Sequence, residues 1–98
     1  MKEIIYKLNK LFENRIRLGL MSAFMVNESL DYNDLKELLD LTDGNLASHL
    51  KTLEKNDLIT VRKQFIGRKP NTRYSATIKG KNEFNKHLKA LEALLKKA

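Results

Sequence analysis

Apolar residues recur along this chain with two different periods, and the change of period divides it into elements. Ile4, Leu8 and Leu11, joined by Ile5 and Phe12, fall at helical spacing, so residues 3–12 read as a first helix. Asn14 is placed to cap a second helix running to about Val26. Ile16, Leu20, Ala23 and Phe24 line one side of it, with Leu18, Met21 and Met25 flanking them. A helix apolar over most of its circumference belongs at the centre of a fold. Asn27-Glu28-Ser29 reads as a loop, with Leu30 and Tyr32 at its far end. Asn33 is the expected cap of a short third helix that buries Leu35, Leu38 and Leu39. Asp40 to Asn45 leaves room only for a tight turn, with Thr42 as cap and Asp43 set against the positive helix terminus. A fourth helix runs from there to about Asn56 and turns Leu46, Leu50 and Leu53 inward.

After Asn56-Asp57, an expected helix stop, the period becomes two. Ile59-Thr60-Val61 alternates, and the chain to Ile66 is β-compatible. Gly67 to Asn71 holds a glycine, two basic residues and the one proline, which marks a turn. Thr72-Arg73-Tyr74-Ser75-Ala76 is the returning strand, and Thr77 caps a long last helix with Phe84, Leu88, Leu91 and Leu95 in one stripe. The expected fold class is mainly α with a small β-hairpin, a winged helix-turn-helix with an added long C-terminal helix. It makes a single domain over residues 1–98, with terminal helices at 1–12 and 77–98, the helix-turn-helix at 33–56 and the wing hairpin at 59–76.

Composition narrows the function. The 98 residues suit one soluble domain, and no apolar run approaches the roughly 20 residues of a membrane span. Charges interrupt the N-terminal apolar positions, so the start is not a signal peptide, and the cytoplasm is the expected compartment. Without cysteine there are no disulfides, thiolate metal sites or cysteine nucleophiles. The net charge of +7 is local. Residues 1–57 carry eight Lys/Arg against ten Asp/Glu, whereas residues 58–82 carry seven basic residues and no acid. A single-signed patch on a small domain fits a polyanion.

Two helices joined by a short turn, the second with a polar outer face, make a helix-turn-helix. With the leucines facing inward, about 100° per residue turns Gly44, Ser48, Lys51 and Lys55 outward, with Asn45 and Thr52 beside them. Ser, Thr and Asn pair with base edges or phosphates, and Lys with guanine or phosphate. Any amphipathic surface helix has a polar face, but here a ribbon carrying Arg62, Lys63, Arg68, Lys69 and Arg73 follows directly. Such a ribbon lays cations along phosphates or inserts an arginine in the minor groove. An edge hairpin kept soluble by lysines explains two or three such charges better than five.

Asn14-Arg15-Ile16-Arg17-Leu18 and Tyr32 to Leu39 resemble the small winged-helix regulators related to the MarR and ArsR groups. The run Leu41 to Glu54 is similar to that family's recognition helix, Gly67-Arg68-Lys69-Pro70-Asn71-Thr72 to its wing, and Thr77-Ile78-Lys79-Gly80 to its strand-to-helix junction. The resemblance implies a dimeric DNA-binding transcriptional regulator whose terminal helices form the interface. It assigns the major groove to Asn45, Ser48, Lys51 and Thr52, and the wing role to Arg68 and Lys69. The chain lacks the Cys/His clusters of metal-sensing ArsR relatives and the extra length from which many MarR proteins build a ligand pocket. No metal, cofactor or small-molecule effector is therefore expected. Apolar positions on several sides of the terminal helices argue independently for a homodimer.

Catalysis is not expected. His49 and His87 are isolated in sequence, Glu37 and Asp40 sit on exposed helical positions, and Tyr6, Tyr32 and Tyr74 read as packing residues. No phosphate-cradling loop, nucleophile elbow or metal-ligand spacing occurs. The expected function is sequence-specific binding of double-stranded DNA, as a repressor that occludes a promoter. A winged helix serving as a protein-interaction module is the alternative. RNA binding, which wants aromatics among the basic residues, ranks last.

Overall fold

Phe12, Phe24 and Phe84, from three separate parts of the chain, meet in one core with Leu20, Met21 and Leu35. Phe12 and Phe84 stand edge to face, 5.1 Å apart. The computed structural model describes residues 1–97. The elements are α1 (Lys2–Ile5), a 3-10 turn (Lys10–Phe12), α2 (Arg15–Val26), β1 (Leu30–Asp31), α3 (Tyr32–Leu39), α4 (Asp43–Lys55), β2 (Ile59–Ile66), β3 (Lys69–Ala76) and α5 (Ile78–Lys97). This is the winged-helix arrangement.

α2 lies where its composition demands. The Asn14 side chain accepts from the backbone N–H groups of Ile16 and Arg17, and Leu20, Met21, Ala23 and Phe24 are buried. The expected first helix, by contrast, breaks after Ile5. Asn9 takes an extended conformation, its side chain accepts from Leu11 N, and its own N–H donates to His87 Nδ1 at 3.0 Å. Asparagine competes for local backbone groups in this way, and a buried acceptor on α5 decides the outcome. Tyr6, expected to pack, is 86% exposed.

The hairpin gains a third strand. β1 pairs antiparallel with β3, giving the order β1-β3-β2. Asp31, not Asn33, caps α3, in a reciprocal capping box with Asp34. Leu35 is buried as expected, but Leu38 points to solvent. The wing turn is tighter than expected: Ile66 pairs with Lys69, so Gly67 and Arg68 alone form the loop and Lys69 to Asn71 are strand. Gly67 has φ +64, which a two-residue hairpin requires there and glycine adopts without steric cost.

α5 is anchored at its start. Thr77 Oγ1 accepts from Gly80 N at 2.8 Å and donates to Asp57 O at 2.7 Å, while Thr77 N donates to Leu58 O at 3.0 Å. Beyond Phe84, the inward face of α5 is His87 and Ala90 rather than the leucine stripe. Leu88, Leu91 and Leu95 are all exposed, Leu95 by 82%.

Candidate nucleic-acid interface

α4 is fixed at both ends and along one flank. Thr42 Oγ1 accepts from Asn45 N, and Lys36 reaches back to Asp43 at 3.0 Å. The Tyr32 hydroxyl donates to Asp43 O; burial, then the Asp43 charge, push its pKa up. At the far end Asp57 adopts the left-handed conformation, Leu58 N donates to Leu53 O and Asp57 N to Glu54 O. That is a Schellman motif, with Leu53 and Leu58 both buried against the core. Leu46, Leu50 and Leu53 face inward as the spacing predicts.

The outer face is then determined by geometry. Gly44, Asn45, Ser48, Lys51 and Lys55 are exposed, and among the described residues nothing lies within 4 Å of where a Cβ on Gly44 would stand. Thr52 is half-buried, and its hydroxyl donates to Ser48 O at 3.1 Å, which leaves its lone pairs free to accept. On the other flank Ala47, Lys51 and Glu54 of α4 border a groove of about 370 Å³. Val61 and Lys63 of β2 and Thr72 and Tyr74 of β3 form its opposite wall. Lys51 and Lys63 therefore face one channel, where helix and wing meet. Tyr74 is buried beneath it; burial raises its pKa, and Tyr32 and Glu54 add to the effect.

Strand alternation divides the wing cations. Lys63 shares the groove face with Val61, whereas Arg62 opposite Arg73 lies on the other face. Arg68 occupies the exposed loop and Lys69 the adjoining strand end. Arg73, expected with the free cations, is half-buried and already engaged. Its Nε donates to Ser29 Oγ at 2.9 Å, Nη2 donates to Ser29 O at 3.2 Å, and Nη1 is 4.0 Å from Asp31 Oδ2. Asn71 also donates to Asp31, and Gln64 to Asn71, so a polar ladder crosses this face of the sheet. Lys51, Lys55, Arg62, Lys63, Arg68 and Lys69 take part in no ion pair among the described residues.

Ala47, Glu54 and Thr72 were not singled out from sequence. Ala47 stands one turn before Lys51, and that spacing could have found it; its contact value is apolar, as to a thymine methyl. Glu54 brings an acid into an otherwise basic channel. Among the described residues, no group of three or more His, Cys, Asp or Glu could hold a metal, and no helix is long and apolar enough to cross a membrane.

A family model described as a winged helix DNA-binding domain matches residues 16–95. The uncharacterized protein MJ0432 of Methanocaldococcus jannaschii is 34% identical over 79 residues, which cover 81% of this chain and 86% of that protein. The solved structure of a transcriptional regulator homologue from Pyrococcus horikoshii OT3 is 33% identical, with 97% of this chain and 92% of the other covered at TM-score 0.85. A MarR-family structure from Enterococcus faecalis V583 shares the fold at TM-score 0.73 and 23% identity, over 96% of this chain and 80% of its own. Matched from Ile16 to Leu95, the chain belongs to the family of winged-helix DNA-binding domains and has the fold of MarR-type transcriptional regulators.

Proposed function

We propose that the protein is a homodimeric, sequence-specific binder of double-stranded DNA that represses transcription by occluding a promoter. The shared channel of Lys51 and Lys63 carries this reading: helix and wing present cations to the same side. α4 enters the major groove, where Asn45, Ser48 and Thr52 read base edges or phosphates and Gly44 lets the backbone approach. Lys51, Lys55 and Lys63 neutralise phosphates, and Arg68 and Lys69 extend the wing along the backbone or into the minor groove. Arg62 reaches phosphate from the wing's far face. Arg73 holds the wing's base to the Ser29 loop and supports the others without contacting DNA itself.

The dimer brings together the surface that one subunit leaves open. Leu88, Leu91 and Leu95 of α5, with Ile5 at the end of α1 and Tyr6 just after it, form exposed apolar area that a second copy would bury. Two-fold pairing sets the recognition helices about 34 Å apart, one turn of DNA. Selection from a random duplex library tests this. The expected outcome is a pseudo-palindrome with half-sites one helical turn apart; recovery of unrelated sequences would overturn sequence-specific binding.

A further inference from the structure

His49 lies on the flank of α4 turned away from the wing, one turn from Asn45 and one turn from Thr52. Its Nδ1 is 3.0 Å from Arg17 Nη1 on α2, and the same guanidinium donates through Nε to Leu11 O at 2.6 Å. Arginine has no acceptor and stays protonated, so His49 Nδ1 must be the acceptor. The ring is thereby neutral, with its proton on Nε2. One side chain thus ties the segment preceding α2 to the middle of the helix that presents Asn45, Ser48 and Thr52.

We propose that Arg17 and His49 form a proton-sensitive brace that sets the recognition helix for base contact, releasing it when His49 is protonated. The proposal rests on the DNA-binding function above. Protonation would set an N–H against an N–H and a cation against a cation 3.0 Å away. No carboxylate forms an ion pair with His49 among the described residues, and Arg17 is the charge that acts on the ring. Burial, and secondly the Arg17 charge, already hold the ring's pKa below its ordinary value. The ring is neutral above about pH 6.5 and gains its proton as pH falls through the lowered value. Arg17 and His49 are positioning residues: they fix the angle of α4, and the contacts are made by its outer face.

Two measurements on the full chain test this. Ring-nitrogen NMR of the free protein should show neutral His49 as the Nε2–H tautomer, titrating below the free-imidazole value, and Arg17→Met should bring it back up. An Nδ1–H tautomer, or a pKa that Arg17→Met leaves unchanged, would overturn the brace whether or not the protein binds DNA. Binding to a selected duplex at constant salt should then weaken about fivefold between about pH 7.5 and 5.5, the low end of typical intersite coupling. His49→Asn, which keeps an acceptor near the Nδ1 position but does not titrate, should bind like the wild type at the higher pH and lose that difference. His87 titrates in both proteins and cancels in the comparison. An equal pH profile for wild type and His49→Asn, in proteins that bind, would refute the functional claim, whereas failure of the wild type to bind any duplex would instead strike the proposed function.

Discussion

Adding one methyl group at Gly80 should unsettle the whole domain. A Cβ there would lie 2.0 Å from the carbonyl oxygen of Leu58, 2.9 Å from its carbonyl carbon and 3.1 Å from its Cα. These are backbone atoms, so no side chain can swing away. Relief requires α5 to withdraw from the start of β2 by more than 1 Å, roughly the shortfall from carbon–oxygen contact distance. That movement strains the Thr77–Leu58 and Thr77–Asp57 hydrogen bonds, now 3.0 and 2.7 Å. Overpacking costs about 1–3 kcal/mol, and a weakened hydrogen bond about 0.5–1.5 more. Alanine's better helix propensity returns up to about 1 kcal/mol, so Gly80→Ala should lose about 2–3 kcal/mol net, a large part of the roughly 5–15 kcal/mol typical of a small domain. Gly44→Ala is the internal control. It too lies in a helix, but its Cβ would meet nothing, and alanine's better helix propensity should add up to about 1 kcal/mol. Urea midpoints at fixed protein concentration measure both. A Gly80→Ala protein as stable as wild type would refute the reasoning, since the overpacking and hydrogen-bond losses together exceed the propensity gain.

Other predictions address the wing, the helix face and the buried histidine. Arg73→Met should lower the unfolding midpoint while leaving the salt dependence of DNA binding nearly unchanged, because the guanidinium is spent on Ser29 and Asp31. A clear fall in the salt slope would show that Arg73 contacts phosphate after all. Asn45→Ala and Ser48→Ala should change which sequence is preferred by about 1–3 kcal/mol per lost base contact. Competition among related duplexes reads this, and uniform weakening would move both residues to the phosphate class. His87 is 2% exposed, and burial lowers its pKa, partly opposed by Glu13. Because folding favours the neutral ring, its contribution is complete above about pH 6.5 and is lost as pH falls through the lowered folded value. Thermal midpoints should follow that course, less steeply in His87→Asn; an unchanged profile would count against it.

What the sequence reveals follows from how local each decision is. The caps at Asn14, Thr42 and Thr77 are each satisfied within three residues, and the helices they open were readable. So was the inward face of α4, because three leucines repeat there at one spacing. The break at Asn9 depends on an acceptor 78 residues away, which no helical period can reveal. β1 is two residues long and exists by pairing with β3. Asp31 and Asn33 are both capable caps, and Asp34 decides between them by completing the box. Of the candidate site, the helix residues were legible from their spacing against the three inward leucines, and the tip cations as a charge pattern. The division of the wing into a groove face with Lys63 and an outer face with Arg62 and Arg73 follows from strand register. Charge counting treats the five cations alike, and only Ser29 and Asp31 set Arg73 apart.

The most direct trial of a cationic channel shared by helix and wing is the salt dependence of duplex binding, measured for wild type and for Lys51→Ala/Lys63→Ala. A dimer neutralising about 6–10 phosphates should lose about 10³–10⁵ in affinity between 50 and 200 mM salt. Removing two cations from each subunit should reduce the slope by about 3–4, near 0.9 for each lost phosphate contact. A slope that the double substitution leaves intact would mean that Lys51 and Lys63 do not meet the DNA backbone.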